Sequence, residues 1–175
     1  GAVICTGEAV RKHNSDAIIH MLAAAGGKFV CATAGPNLEG ILGAHGSGAV
    51  ARSMKITAGM NVDMGGGTTK LAIVQQGKVT ETMAINIGAR LIDWDENGVI
   101  ARVEKAGRLV GEKIGINGTL GGTLTDGEKE RLAEKFADIV FEALSRREYW
   151  PLTKELTISG PLQYSGQIDE LGFSG

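Results

Sequence analysis

This sequence contains little proline and little cysteine, and its net charge is close to zero. Three prolines and two cysteines occur among 175 residues, and the formal net charge at pH 7 is −2. The chain therefore lacks the strongly basic surface that binds nucleic acids and anionic membranes, and neither is an expected partner. Its apolar runs are too short or too interrupted for a signal peptide or a membrane span. A cytoplasmic location is the default expectation.

The two cysteines, Cys5 and Cys31, each lie in a short apolar run that is typical of a buried strand. They do not have the spacing of a metal site. We therefore expect free and mostly buried thiols on neighbouring strands, in a reducing compartment.

Glycine is abundant, with 27 residues, while the hydrophobic fraction of 43% and the charged fraction of 22% are ordinary for a globular protein. The length allows one or two modest domains with a proper core. The chain opens directly on a strand-like run at residues 2–5 and closes on residues 172–175, a strand-like run entering a loop. Because natural domains usually fray into polar residues at their ends, we expect a section of a longer protein.

The most informative stretch is Asn61–Val74, in which two apolar runs flank three consecutive glycines. This pattern predicts a β-hairpin whose tight turn exposes the main chain, so that free N–H groups can hold an anion. Asp63 precedes the turn, where a carboxylate could reach Mg²⁺ or orient a water molecule. The residues expected to contact phosphate oxygens are Gly65, Gly66, Gly67, Thr68 and Thr69.

A glycine-rich hairpin that only turns a sheet corner is the alternative interpretation. The flanking aspartate and the two threonines favour a binding turn over that alternative. The spacing fits neither a P-loop nor a dinucleotide-binding fingerprint. The segment resembles the second phosphate-binding hairpin of actin-like ATPases, whose heat-shock chaperone members carry an Asp-x-Gly-Gly-Gly-Thr core.

Before the hairpin, a strand–helix–strand order favours a parallel strand pair with a right-handed crossover. Ser15 is the expected cap of the helix at 16–25. After a turn at 35–37, apolar residues indicate one or two helical turns. The small residues of 46–52 favour a closely packed helix, and a glycine-weakened loop is the alternative. We place a subdomain boundary near Thr57.

After the hairpin, Val79–Ile85 is the expected third strand of an antiparallel meander, because turns of two or three residues join antiparallel neighbours. Residues 87–92 indicate a passage from a loop into a helix. The acidic residues around Trp94 are interpreted as a solvated turn rather than a metal site. The other expected elements are a strand at 99–103, a helix at 105–115, a helix at 128–146 capped by Thr125 or Asp126 and packed across the sheet, and a short strand or sheet edge at 156–160.

Four runs, residues 5–9, 32–39, 61–71 and 85–92, make the resemblance more specific than the superfamily. They resemble the EutA family, the reactivating factors for ethanolamine ammonia-lyase in ethanolamine utilisation. The resemblance implies an α/β fold of the actin-like ATPase (RNase H-like) type, a mixed sheet with flanking helices, in which two subdomains close on ATP and Mg²⁺. Residues 1–57 would be the C-terminal part of the first subdomain, and residues 58–175 a second subdomain truncated at its C-terminal end.

The resemblance also implies roles for individual residues. Asp63 would be catalytic and would hold Mg²⁺ indirectly, through water. The glycines and threonines of the hairpin would bind phosphate, and Gly88 would line the cleft. Lys70 stands where many relatives carry a shorter polar residue, and its role is left open. Residues 46–51 are similar to the first connecting helix of actin-like folds. Residues 173–175 resemble the start of the adenosine-binding motif of these folds.

The implied activity is that of an ATP-dependent, chaperone-like factor that promotes exchange of damaged cobalamin in the adenosylcobalamin-dependent lyase. The expected partners are the lyase, ATP and a second copy of the chain as a homodimer. Association with a bacterial microcompartment is the finer expectation for its location. The alternatives are a non-catalytic actin-like scaffold or assembly protein and, ranked lower, a sugar or acetate-type kinase. We expect ATPase activity in the full-length protein but no measurable ATP binding by these 175 residues alone.

Overall fold

The computed structural model describes residues 2–5, 17, 20–21, 30–33, 35–145 and 148–175. The elements in chain order are β1 (Ala2–Cys5), β2 (Val30–Thr33), α1 (Pro36–Gly46), α2 (Ala49–Arg52), a 3-10 turn (Ser53–Lys55), β3 (Gly59–Met64), β4 (Thr69–Gln75), β5 (Lys78–Ile85), β6 (Ile92–Trp94), β7 (Ile100–Val103), α3 (Lys105–Lys113), α4 (Asp126–Ser145), α5 (Pro151–Leu156) and β8 (Glu170–Ser174).

The first two strands pair in parallel, as predicted. Val3 lies opposite Cys31 and Cys5 lies opposite Thr33, so the two cysteines are on neighbouring strands. The predicted Ser15 cap lies outside the described residues. Three residues of the predicted helix 16–25 are described, and all three are helical: Ala17, His20 and Met21.

A four-stranded mixed sheet forms the centre of the structure, with the strand order β5-β4-β3-β8. The two hairpins β3–β4 and β4–β5 are antiparallel, whereas β8 pairs in parallel with β3. Short turns enforce the antiparallel pairs, while the parallel pair requires a long connection. The predicted fold class, a mixed sheet with flanking helices, is confirmed, and so is the contiguous antiparallel meander.

Both faces of this sheet are covered, because successive side chains of a strand point to opposite faces. Helices α1 and α2 cover one face through a small cluster that includes Ala44, Val50, Ala72 and Val74. The opposite face belongs to the main core, which α3 and α4 share with the strands. The helix predicted at 128–146 therefore shares this core with the sheet, while its packing across the sheet face stays a prediction. The main core includes Met60, Val62, Leu71, Ile73, Met83, Ile85, Val110, Leu132, Ile139 and Ala143.

Helix α1 differs from the prediction. Residues 35–37 do not form a separate turn: Pro36 occupies the first position of an 11-residue helix. Proline suits that position because its fixed φ is helical and its missing N–H has no helical partner there. A turn at Ser47–Gly48, with Gly48 at φ 77°, then separates α1 from α2. The expectation of one connecting helix over 46–51 is therefore wrong, since this range spans the break between two helices.

One further expectation after the meander is wrong: residues 87–92 lead into strand β6, which pairs with β7, and not into a helix. The short strand or edge predicted at 156–160 is confirmed only in part. Thr157 forms a single bridge with Ile85 of the edge strand β5, because α5 extends to Leu156. The predicted strand 99–103 and the helix 105–115 are confirmed as β7 and α3.

Helix α4 begins at a capping box, in which the side chains of Thr125 and Glu128 bond each other's backbone N–H groups. The Thr125 N–H donates to Glu128 Oε2 at 2.8 Å, and the Glu128 N–H donates to Thr125 Oγ1 at 3.3 Å. Thr125, one of the two predicted caps, is therefore confirmed. Within the described ranges, no helix combines the length and the apolar character that crossing a bilayer requires.

Candidate functional site

The turn between β3 and β4 leaves main-chain donors available. The Gly65 N–H closes the turn by donating to the Thr68 carbonyl at 2.9 Å. Among the described residues, no acceptor is recorded for the N–H groups of Gly66, Gly67 and Thr68. A Cβ atom placed on Gly67 would meet nothing within 4 Å, so open space lies beside the turn. Successive free N–H groups beside open space are the elements of a main-chain anion site.

A second loop, residues 87–90, packs directly on this turn. The Ala89 N–H donates to the Gly65 carbonyl at 3.0 Å, and the Arg90 N–H donates to the Gly66 carbonyl at 2.8 Å. A Cβ atom on Gly88 would lie 2.5 Å from the Gly66 carbonyl oxygen. Glycine at this position therefore permits the contact, and the structure brings Gly88 to the predicted hairpin.

The two predicted threonines differ in their surroundings. Thr68 is half-buried in the turn, and its N–H belongs to the available donors. Thr69 is fully buried, and its hydroxyl donates to the Ile87 carbonyl at 2.7 Å. The structure therefore gives the Thr69 side chain an anchoring role between the hairpin and the second loop.

Asp63 is half-buried on the sheet face that α1 covers. Its Oδ1 accepts a hydrogen bond of 2.9 Å from the Ser174 hydroxyl. The Ser174 hydroxyl accepts a hydrogen bond of 3.0 Å from Asn61 Nδ2. Asn61 Oδ1 in turn accepts a hydrogen bond of 2.8 Å from the Ser47 hydroxyl. This chain of hydrogen bonds fixes the carboxylate of Asp63 between β3, β8 and the α1–α2 junction.

Lys70 lies directly opposite Asp63 in the β3–β4 register and points to the same face. Its Nζ lies 2.5 Å from Glu39 Oε2, and each side chain of this pair is only 8% exposed. The same Nζ is 3.5 Å from the Cβ position of Gly65. The structure thus gives Lys70, whose role the sequence left open, a place beside the glycine turn.

Helix α1 approaches this cluster closely because it presents glycines to the sheet. A Cβ atom on Gly43 would lie 3.2 Å from Asp63 Cγ, and one on Gly40 would lie 3.4 Å from Lys70 Cβ. Glu39 and Asn61 were not predicted as site residues, and Ser174 was placed only in the segment that resembles the adenosine-binding motif. The alternation of Asn61 and Asp63 along β3 places two polar side chains on one face, and this signal could have revealed Asn61.

The geometry suits a phosphate better than a metal held by protein alone. Nowhere in the described part of the chain do three or more His, Cys, Asp or Glu side chains converge as ligands of a metal ion. Asp63 is the carboxylate that precedes the turn in β3, two residues before Gly65. Mg²⁺ is commonly bound through one or two carboxylates, waters and the phosphates of a substrate, so a single carboxylate here is compatible with such a site.

The profile of the family described as "Ethanolamine utilisation protein EutA" matches residues 1–175, which is the whole chain. The chain belongs to the EutA family. A curated EutA relative, the "Ethanolamine ammonia-lyase reactivase EutA" of Salmonella typhimurium, is 32% identical over 163 residues, covering 93% of this chain. The protein of the same name from Escherichia coli is 32% identical over 145 residues, covering 82% of this chain.

The match covers 35% of the Salmonella protein and 31% of the Escherichia coli protein, so this EutA chain spans about one third of its curated relatives. Among solved structures, a Ppx/GppA family member of Aquifex aeolicus matches with a TM-score of 0.49 and 21% identity, over 82% of this chain and 37% of that one. The ethanolamine utilization protein EutJ of Carboxydothermus hydrogenoformans matches with a TM-score of 0.35 and 19% identity, over 82% of this chain and 44% of that one.

Proposed function

We propose that this EutA chain carries part of the nucleotide site of an ATP-dependent reactivating factor for ethanolamine ammonia-lyase. The observation that carries the proposal is the β3–β4 turn with its free N–H groups, which follows the hydrogen-bonded carboxylate of Asp63 in the chain. Membership of the EutA family and the printed names of the two curated relatives support the choice of the lyase as the partner.

In this proposal, the N–H groups of Gly66, Gly67 and Thr68 hold the terminal phosphate of ATP. Each hydrogen bond to a charged phosphate oxygen is stronger than a bond between neutral groups. Gly65 closes the turn and Gly88 supports it, so both act by shaping the site. Asp63 would hold Mg²⁺ through water and orient the attacking water, and the ion would supply charge neutralisation to the phosphates.

We further propose that residues 1–57 belong to a first RNase H-like subdomain and residues 58–175 to a second, with α1 lying across the sheet of the second. ATP would favour a closed arrangement of the two, and loss of the terminal phosphate would release it. A ligand drives such a change only by binding the two arrangements with different affinity. Opening and closing would be transmitted to the lyase, where damaged cobalamin is exchanged for intact cofactor.

We propose that the factor works in the cytoplasm. We further propose that it associates there with a bacterial microcompartment. The partners are the lyase, ATP with Mg²⁺, and a second copy in a homodimer. A scaffold without nucleotide chemistry is the competing interpretation, and the following experiment separates the two.

The test measures two activities of the full-length protein, Mg-ATP hydrolysis and ATP-dependent recovery of inactivated lyase. We expect Asp63→Ala and Gly66→Val to abolish both. A Cβ atom on Gly66 makes only ordinary contact with Arg90, at 3.8 Å, so Gly66→Val should fold normally. Gly160→Val is the matched control, because its Cβ atom would meet nothing within 4 Å and lies outside the turn. Full activity of Asp63→Ala would show that the hairpin is structural and would favour the scaffold.

A further inference from the structure

The ion pair between Lys70 and Glu39 lies inside the protein, directly beside the glycine turn. Both side chains are 8% exposed, and Nζ is 2.5 Å from the carboxylate oxygen. A buried ion pair contributes little or no stability over apolar side chains of the same volume. Stability alone therefore does not account for a buried lysine at this position.

The location of the ammonium group suggests another role. Lys70 Nζ is 3.5 Å from the Cβ position of Gly65, and the available N–H groups begin at the next residue, Gly66. Lys70 also shares a sheet face with Asp63, its cross-strand partner. The ammonium is thus the buried cation next to the place where an anion would bind.

We propose that Lys70 is a positioning residue for the terminal phosphate, and that Glu39 balances its charge while no anion occupies the turn. When a phosphate binds to the N–H groups of residues 66–68, the ammonium exchanges the Glu39 carboxylate for a phosphate oxygen. Since Glu39 lies on α1, occupation of the turn alters how α1 is attached to the sheet. This inference rests on the proposed function and deepens it.

Competition between Glu39 and the phosphate for the Lys70 ammonium predicts opposite effects of the two substitutions. The Glu39 carboxylate and the phosphate use the same ammonium, so each weakens the binding of the other. Removing the charge of Lys70 must weaken phosphate binding, whereas removing the charge of Glu39 must strengthen it. Two residues that merely support the fold as a pair would change binding in the same direction.

The experiment is calorimetric titration of the full-length protein with Mg-ATP and, separately, with Mg-ADP. We expect Lys70→Met to weaken Mg-ATP binding about tenfold or more, the usual effect of losing one charge-assisted hydrogen bond. We expect Glu39→Gln to tighten it severalfold. Lys129→Met is the control, because Lys129 pairs with Asp126 on α4, outside the turn, and its loss should leave the affinity unchanged.

Either single variant breaks the Lys70–Glu39 pair while one of its buried charges remains, and it could fail to fold. The double variant Glu39→Gln/Lys70→Met removes both charges and keeps both volumes, so it should melt close to the wild type. Its affinity for Mg-ATP should equal that of Lys70→Met, because no cation remains for which Glu39 could compete.

The titrations distinguish a failure of the proposed function from a failure of the role of Lys70. Wild-type protein that binds neither nucleotide overturns the proposed function, and the role of Lys70 falls with it. Wild-type protein that binds Mg-ATP, while the double variant binds it equally tightly, overturns only the role of Lys70. Folded Glu39→Gln protein with weakened binding overturns the competition.

Discussion

Gly88 shows how one residue without a side chain can hold two loops together. Its Cβ position lies 2.5 Å from the Gly66 carbonyl oxygen and 2.7 Å from the Gly65 carbonyl oxygen. Both neighbours are backbone atoms, which cannot rotate away as a flexible side chain could. The same carbonyls accept the N–H groups of Arg90 and Ala89, so the contact is fixed from both sides.

We predict that Gly88→Ala destabilises the full-length protein by about 1–3 kcal/mol, because overpacking forces the backbone to shift. The shift moves the turn, so Mg-ATP binding should weaken at the same time. Urea unfolding and calorimetric titration measure the two effects. Gly160→Ala is the control, with no atom within 4 Å of its Cβ position, and should stay within about 0.5 kcal/mol of the wild type. Equal stability of both variants would refute the close packing at Gly88.

At the scale of single elements, local sequence signals predicted the hairpin and α4 well. The three glycines between apolar runs and the repeating apolar positions of α4 are patterns that each segment carries by itself. The errors occurred where neighbours decide the conformation. Residues 87–92 bond to the glycine turn and then enter β6, and neither contact is visible in their own sequence. Residues 35–37 were predicted as a turn, but proline also suits the first position of a helix, where the structure places Pro36.

The capping box of α4 makes a prediction about pH. Hydrogen bonds from the Thr125 N–H and hydroxyl hold the pKa of Glu128 below its usual value. A carboxyl whose pKa is lowered by folding stabilises the folded state above its unfolded pKa, and this contribution disappears as the pH falls through the folded pKa. Glu128→Gln should therefore unfold more easily than the wild type at about pH 7, and the difference should shrink towards about pH 3.

Urea unfolding of the full-length wild type and Glu128→Gln at both pH values provides the measurement. Glu130→Gln is the control, since Glu130 is exposed on the same helix. A difference between wild type and Glu128→Gln that persists unchanged in acid would contradict the capping role of the ionised carboxylate.

Strands β1 and β2 carry the thiols, and their parallel pairing places Cys5 and Cys31 on neighbouring strands. Our prediction remains that both thiols are free and mostly buried. A thiol reagent should react slowly with these two cysteines in the native protein, and with both once the protein is denatured. Peptide mapping of the labelled full-length protein identifies the two sites. Fast native labelling of both would contradict their burial.

At the scale of the whole molecule, the candidate site is assembled from distant parts of the chain. Asp63 and Ser174, which share a hydrogen bond, are 111 positions apart. Glu39 reaches Lys70 only because α1 lies across the sheet. The sequence predicted the residues of the turn, whose chemistry is local. It could not predict the groups around them, because the packing of α1 and β8 on β3 and β4 brings those groups together.

The most direct test of the central claim is calorimetric titration of the full-length Gly67→Val protein with Mg-ATP. A side chain at Gly67 enters open space, so the variant should melt like the wild type and like Gly160→Val. The added methyl groups would occupy the space where the proposal places the terminal phosphate. We predict that Gly67→Val shows no measurable binding of Mg-ATP, while wild type and Gly160→Val bind it equally. Wild-type affinity in folded Gly67→Val protein would contradict the assignment of this turn as the phosphate site.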